Sequence, residues 1–309
     1  MSTPFCTDAQ VDLPPQLRSR GPAGPPCACL LHGRRRLGSA LLGGGLLAAL
    51  PIAASAQDAD CSRSKFAQVV SADEIEAAAG QQYRQMLQQA SAKHALGPAD
   101  NGQVQRLRYI AARIIPFTAS CNGRARSWHW EVNLIGSNEL NAFCMPGGKI
   151  AFFQGLLTKL RLDDDEVAMI MGHEVAHALL EHARERMGKT VATRGLIELG
   201  SALFGLGNLG RGVADLGGQL LTLRFSRDDE SEADALGLVL AAKAGYRPAA
   251  GVSLWQKMLA ANKGAPPQWL STHPSGDSRI RDIESRLPRI EPIYAAAAKP
   301  DRRFAAPTG

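Results

Sequence analysis

Clustered positive charge, cysteine and long apolar runs are all scarce in this 309-residue sequence. The formal net charge is +6, but five arginines and two aspartates fall in residues 1–56. The remainder holds 30 basic against 27 acidic residues, a net of +3. No basic stripe is left to argue for nucleic-acid binding. In the apolar, glycine-rich stretch 195–223 the longest uncharged run, residues 199–210, has 12 residues. A membrane-spanning helix needs roughly 18, so this stretch reads as one or two glycine-loosened helices, with peripheral membrane contact left open. Of six cysteines, three lie before residue 30, leaving Cys61, Cys121 and Cys144. One disulfide and one free thiol is the simplest sum, with Cys61–Cys121 the preferred pair and Cys144 packed among apolar neighbours.

What is present begins with targeting. Arg34, Arg35 and Arg36 precede a glycine-rich apolar run that ends at Ala54, Ser55 and Ala56. Charged end, apolar stretch and A-x-A site together read as a secretory signal, with a mature start near Gln57. An uncleaved anchor is the alternative. The residues ahead of the arginines are long for such a signal and fit either a leader or a start codon placed too early. Residues 58–60 are not a lipobox before Cys61. Export to an oxidising periplasm follows.

Chemistry concentrates in residues 163–182, where His173, Glu174 and His177 have the spacing H-E-x-x-H. Residues four apart share a helical face, so both imidazoles can reach one tetrahedral zinc. Glu174 is rotated by about 100° from His173, too far to be a ligand but placed to take a proton from water at the metal. Asp163 and Glu166 form a helix-start signal, and Val167, Ile170, Met171, Val175 and Leu179 mark an apolar face. A second stretch, residues 224–237, sets Glu230 and Asp234 four apart. Glu230 can complete a His₂Glu zinc site, and Asp234 can accept the other ring N–H of a zinc-bound histidine. A solvated acidic helix face is the plainer reading of that stretch alone, and Glu232 reads as a bystander. His273 and Arg279, across a later helix start, read as a further metal contact, an oxyanion donor or a clamp on a substrate carbonyl.

Helices are expected over residues 71–94, 101–115, 154–160, 248–263 and 275–287. Residues 127–135 alternate as a half-buried strand with Trp128, Trp130, Val132 and Leu134 inward, and His129 at the surface. Residues 141–145 and 149–153 form a strand pair around Pro146, Gly147 and Gly148. The expected fold is α+β and mostly helical, with a small sheet beside the H-E-x-x-H helix. Its parts are a leader and signal over 1–56, a metallopeptidase domain over 57–287 and a disordered tail over 288–309.

The motifs at 173–177, 226–234, 141–150 and 272–280 occur in the order found in one family. The chain resembles the gluzincin zinc metallopeptidases that include the CAAX prenyl endopeptidase, HtpX and the Oma-type proteases, in particular their exported bacterial quality-control members. The resemblance implies a zincin-like domain with one zinc on His173, His177 and Glu230. Glu174 would be general base and then acid, with Asp234 behind a zinc-bound histidine. Asn141, Ala142, Phe143, Pro146, Gly147 and Gly148 would line the substrate groove. His273 would cap the zinc at rest, with Arg279 beside it. Unfolded or envelope polypeptides would be the substrates. The multi-span segments of the prenyl-processing branch are missing, so prenylated substrates are not implied. Two other readings stay open, an exported chaperone or assembly factor whose zinc site is mostly latent and a non-peptidase zinc hydrolase.

Overall fold

In α4, Asp164–Leu179, every residue but Asp165 is buried, and several described elements pack against it. Asp163 caps this helix by accepting from the Glu166 amide while the Glu166 side chain accepts from the Asp163 amide. That reciprocal pair satisfies two of the orphan donors at the helix start. The computed structural model describes residues 60–203, 220, 223–261, 268–273 and 277–307. All of them belong to one contact unit.

Before α4 come α1 (Ala72–Ala92) and α2 (Gly102–Ile114), capped by Ser71 and Asn101. The strands are β1 (Glu131–Ile135), β2 (Ala142–Met145) and β3 (Lys149–Phe153), in the order β1-β3-β2. β1 runs parallel to β3, with Val132 opposite Ile150, and β2 runs antiparallel to it, with Cys144 opposite Ile150. A short α3 (Gln154–Lys159) leads into α4. After it come α5 (His182–Leu203), α6 (Arg227–Lys243), α7 (Ala250–Ala261), α8 (Gln268–Thr272) and α9 (Asp277–Ala296). This is the mostly helical α+β architecture with a small sheet that the sequence implies. β2, α2, α5, α6 and α7 all pack against α4, α6 most extensively. The single apolar face expected for α4 is therefore only part of its burial.

α4 and α6 meet at a pair of glycines. A Cβ on Gly172 would lie 2.6 Å from the Gly237 carbonyl oxygen, and one on Gly237 would lie 2.7 Å from the His173 amide nitrogen. Only two hydrogen side chains allow this approach, and it is what sets His173 opposite the start of α6.

Several expectations give way. The strand expected over 127–135 starts only at Glu131, because the Trp128 indole donates to Glu76 (2.9 Å) and the Trp130 indole to the Ala125 carbonyl (3.2 Å). Nor is β1 half-buried. Asn133 on its supposed outer face is buried and donates to the Tyr83 hydroxyl beneath α1. The disordered tail expected over 288–309 is replaced through residue 307. α9 passes Pro288 and Pro292, because Ile283 and Ile290, two turns apart, keep its apolar face on the core. Beyond it, the Phe304 amide donates to Asp164 (2.8 Å) and Arg303 pairs with Asp165 (2.8 Å). Cys61 and Cys121 are disulfide-bonded, and Cys144 is a buried free thiol. His129 is exposed. The leader and signal over 1–56 lie outside the described residues, as does most of the stretch 195–223. Among the described residues no helix is long and apolar enough to cross a membrane.

Candidate metal centre

One helical turn separates His173 from His177, and their Nε2 atoms come within 3.1 Å of each other. Glu230, in the first turn of α6, sets Oε2 3.5 Å from His173 Nε2 and Oε1 3.4 Å from His177 Nε2. α6 starts here because Ser226 and Asp229 form a capping box. His273, just past α8, places Nδ1 3.3 Å from His173 Nε2 and 2.9 Å from Glu230 Oε1. All four residues are buried, and one donor atom from each lies within 4.8 Å of the others.

Zinc bound tetrahedrally at its usual distances to nitrogen and oxygen requires its donor atoms to be roughly 3.3–3.5 Å apart. The spacings among His173, His177 and Glu230, 3.1 to 3.5 Å, match that figure within a few tenths. Two imidazoles and a carboxylate are also a donor set that suits zinc. The residues fit the ion, and the His273 nitrogen stands where a fourth donor would.

Burial holds the His177 imidazole well below its usual range, so it is a neutral donor at pH 7. Burial would raise Glu230, but the charge of His273 and hydrogen bonds from His177 and His273 overcome this and keep it ionised. Asp234 is likewise held down, against burial, chiefly by the Arg279 charge. His273 is raised, because Glu174 and Glu230 outweigh its burial. The Cys144 thiol is pushed up by burial and is no nucleophile.

Behind the donors, Asp234 Oδ1 lies 3.0 Å from His173 Nδ1. Arg279 donates from Nε and Nη2 to the two Asp234 oxygens (2.8 and 2.6 Å) and from Nη1 to Glu230 (2.5 Å). Its guanidinium lies 3.8 Å from the centre of the Trp255 ring. Arg279 thus belongs to the back of the carboxylates and is not among the residues lining the cleft. An oxyanion or substrate contact for it is corrected on that ground.

The cleft in front is lined by Asn141, Ala142, Phe143 and Pro146 together with Glu174, His177 and His273. Gly147 and Gly148, expected there too, are not part of it. Both have positive φ and turn toward Glu76 and the Trp130 ring. Glu174 Oε1 accepts from the Trp269 indole at 2.7 Å and lies 3.7 Å from His273 Nε2.

Sequence reasoning missed four residues at this centre. Trp269 lies one turn before His273, whose amide donates to the Trp269 carbonyl (2.8 Å), and that i, i+4 spacing was the available signal. Phe225 stacks on His177 with ring centres 4.0 Å apart, and nothing local announces it. His182 and Glu232 make a further chain from His177, with His182 Nδ1 2.8 Å from His177 Nδ1 and Nε2 3.3 Å from Glu232 Oε2. Glu232 is therefore not a bystander.

Comparison with known proteins adds a lineage. The family model described as Peptidase family M48 matches residues 98–287. The mitochondrial metalloendopeptidase OMA1 of Schizosaccharomyces pombe is 38% identical over 165 residues, covering 52% of this chain and 48% of that protein. OMA1 of Arabidopsis thaliana is 39% identical over 152 residues, 49% of this chain and 30% of that one. The β-barrel assembly-enhancing protease of Escherichia coli is 30% identical over 178 residues, 54% and 36% of the two chains. The matched part of this chain thus spans about half the length of the first relative and about a third of the other two.

Proposed function

The chain belongs to peptidase family M48, and on that premise we propose that it is a zinc-dependent endopeptidase acting on unfolded or envelope polypeptides. The observation that carries the reading is the meeting of His173, His177 and Glu230 at zinc-ligand spacing, with the Glu174 carboxylate in the same cleft. His173, His177 and Glu230 would hold one zinc ion per chain. When bound, zinc supplies a Lewis acid for the scissile carbonyl and a charge that acidifies nearby water. Glu174 takes the proton of the attacking water on Oε2, the oxygen Trp269 does not engage, and returns it to the leaving amine. Asp234 keeps the His173 tautomer that leaves Nε2 free to donate its lone pair. β2 borders the cleft, and its edge offers backbone groups to an extended peptide. The name of the Escherichia coli relative and the signal-like segment ending at Ala56 support export to the periplasm and envelope substrates.

The test compares the purified wild-type chain with Glu174→Gln, measuring zinc content and casein cleavage. One zinc in each, with cleavage by wild type alone, is expected. A Glu174→Gln protein that still cuts would remove the base. A second reading, a latent site in a chaperone-like protein, is favoured by His273 and Trp269, which occupy the fourth donor place and the base. His273→Ala separates the two: a latent peptidase gains cleavage, whereas a protein that works without cleavage stays inactive.

A further inference from the structure

His182 lies outside the three-ligand set, yet it is 1% exposed and its Nδ1 is 2.8 Å from Nδ1 of His177. A hydrogen bond between two such nitrogens needs one proton, and zinc binding decides where it goes. If His177 gives Nε2 to the ion as a neutral imidazole, its proton must be on Nδ1. His182 Nδ1 is then the acceptor, and the proton of a neutral His182 must be on Nε2. That atom faces Glu232 Oε2 at 3.3 Å, a carboxylate able to receive it. The opposite arrangement puts a proton on His177 Nε2, facing His173 Nε2 and Glu230, and blocks the site.

The fold holds His182 there by a costly turn. Glu181, between α4 and α5, has φ 59°, a left-handed conformation that a residue with a Cβ adopts only when its surroundings require it. Asn122 Nδ2 donates to the Leu179 carbonyl (3.0 Å) and reaches Glu181 Oε1 (3.4 Å). Arg184 and Arg63 pair with the same carboxylate at 2.6 and 3.3 Å. The elbow turns α5 back so that its first residue meets His177.

We propose that His182 is a positioning residue for the metal centre: it accepts the His177 Nδ1 proton, fixes that ring's tautomer and aim, and is itself oriented by Glu232. The two ligand histidines are then held by unlike partners, His173 by the carboxylate of Asp234 and His177 by the imidazole of His182. The inference rests on the zinc reading above and concerns how the ligand is prepared.

The variants that decide it differ in where they place an acceptor. In His182→Asn, the Asn Oδ1 falls where the His Nδ1 was and can still accept. In His182→Gln, the polar atoms fall nearer the former Nε2, and in His182→Ala there are none. Zinc affinity of the full chain, read by competition with a chelating indicator, should fall on the order of 10–100-fold in the Ala and Gln variants, the usual loss when such a partner is removed. The Asn variant should stay within about threefold of wild type, because its acceptor survives. Equal affinity in all four proteins, or an equal loss in all three variants, would overturn the proposal, the second pattern meaning that the ring only fills space. Ring-nitrogen NMR of the zinc-loaded wild-type chain gives a second readout that needs no variant to fold. A proton on His182 Nε2 and none on its Nδ1 is expected, because Nδ1 accepts from His177, and a proton on His182 Nδ1 would refute the pairing. A wild-type chain that binds no zinc would instead sink the metal reading.

Discussion

At Arg279 one guanidinium divides its donors between two buried carboxylates, both oxygens of Asp234 and one of Glu230. Its side chain is 8% exposed, that of Asp234 10% and that of Glu230 2%, so little solvent screens the cluster. Removing one partner from a buried ion pair strands the other's charge, and Arg279→Ala should cost about 3–5 kcal/mol of stability. Arg279→Lys keeps the charge but loses the fork, and its loss should be smaller but clear. Urea unfolding of the metal-free chain measures both. An Arg279→Ala protein as stable as wild type would mean that the cluster is hydrated. The His173–His177 pair was legible because its spacing lies along a single helix, whereas Glu230, on another helix, could be read toward it only beside that motif, its acidic stretch alone reading as a solvated face. Arg279 was legible as a member of the site but not in its direction, which depends on how α9 lies against α6, a contact between distant segments.

Between elements, the decisive contact is the crossing of α4 and α6 at Gly172 and Gly237. In an exposed helix, Gly→Ala normally stabilises by up to about 1 kcal/mol. Here a Cβ on Gly172 would meet the Gly237 carbonyl oxygen at 2.6 Å, and backbone cannot move aside as a side-chain tip can. The sign should therefore reverse, with Gly172→Ala or Gly237→Ala destabilising by about 1–3 kcal/mol, the usual cost of overpacking. Zinc affinity should fall as well, since separating these helices pulls Glu230 away from His173 and His177. Thermal melts and indicator titrations of the single variants check both effects, and a higher melting temperature would refute the steric argument. Sequence pattern located both helices and the Asp163 cap, since these depend on neighbours within one turn. The glycine pair was invisible in one dimension, because each glycine matters only through the other, 65 positions away. For the same reason β1 read as half-buried, although the Tyr83 hydroxyl of α1 covers its second face at Asn133.

Across the whole molecule, two tethers bring distant chain segments to the centre. Residues 297–304 return to the start of α4, where Arg303 and the Phe304 amide engage Asp165 and Asp164. The tail from residue 288, rich in alanine and proline, reads as disordered in sequence, because the partners that order it lie about 140 positions away. The other tether is the Cys61–Cys121 disulfide, which closes a separation of 60 residues. Two residues after Cys61 comes Arg63, and one after Cys121 comes Asn122, and both reach Glu181 at the elbow before His182. A cross-link over such a loop stabilises mainly by restricting the unfolded chain, by about 2–4 kcal/mol. The double variant Cys61→Ser, Cys121→Ser should lose about that much in urea unfolding, and reducing agent should produce the same loss in wild type. In the folded double variant, Arg63 and Asn122 retain their own hydrogen bonds to Glu181 and the Leu179 carbonyl. Zinc affinity measured well below the unfolding transition should therefore match wild type. If stability and affinity fell together under those conditions, the bridge would be holding the elbow itself, and the metal centre would depend on the redox state of a bond on the far side of Glu181.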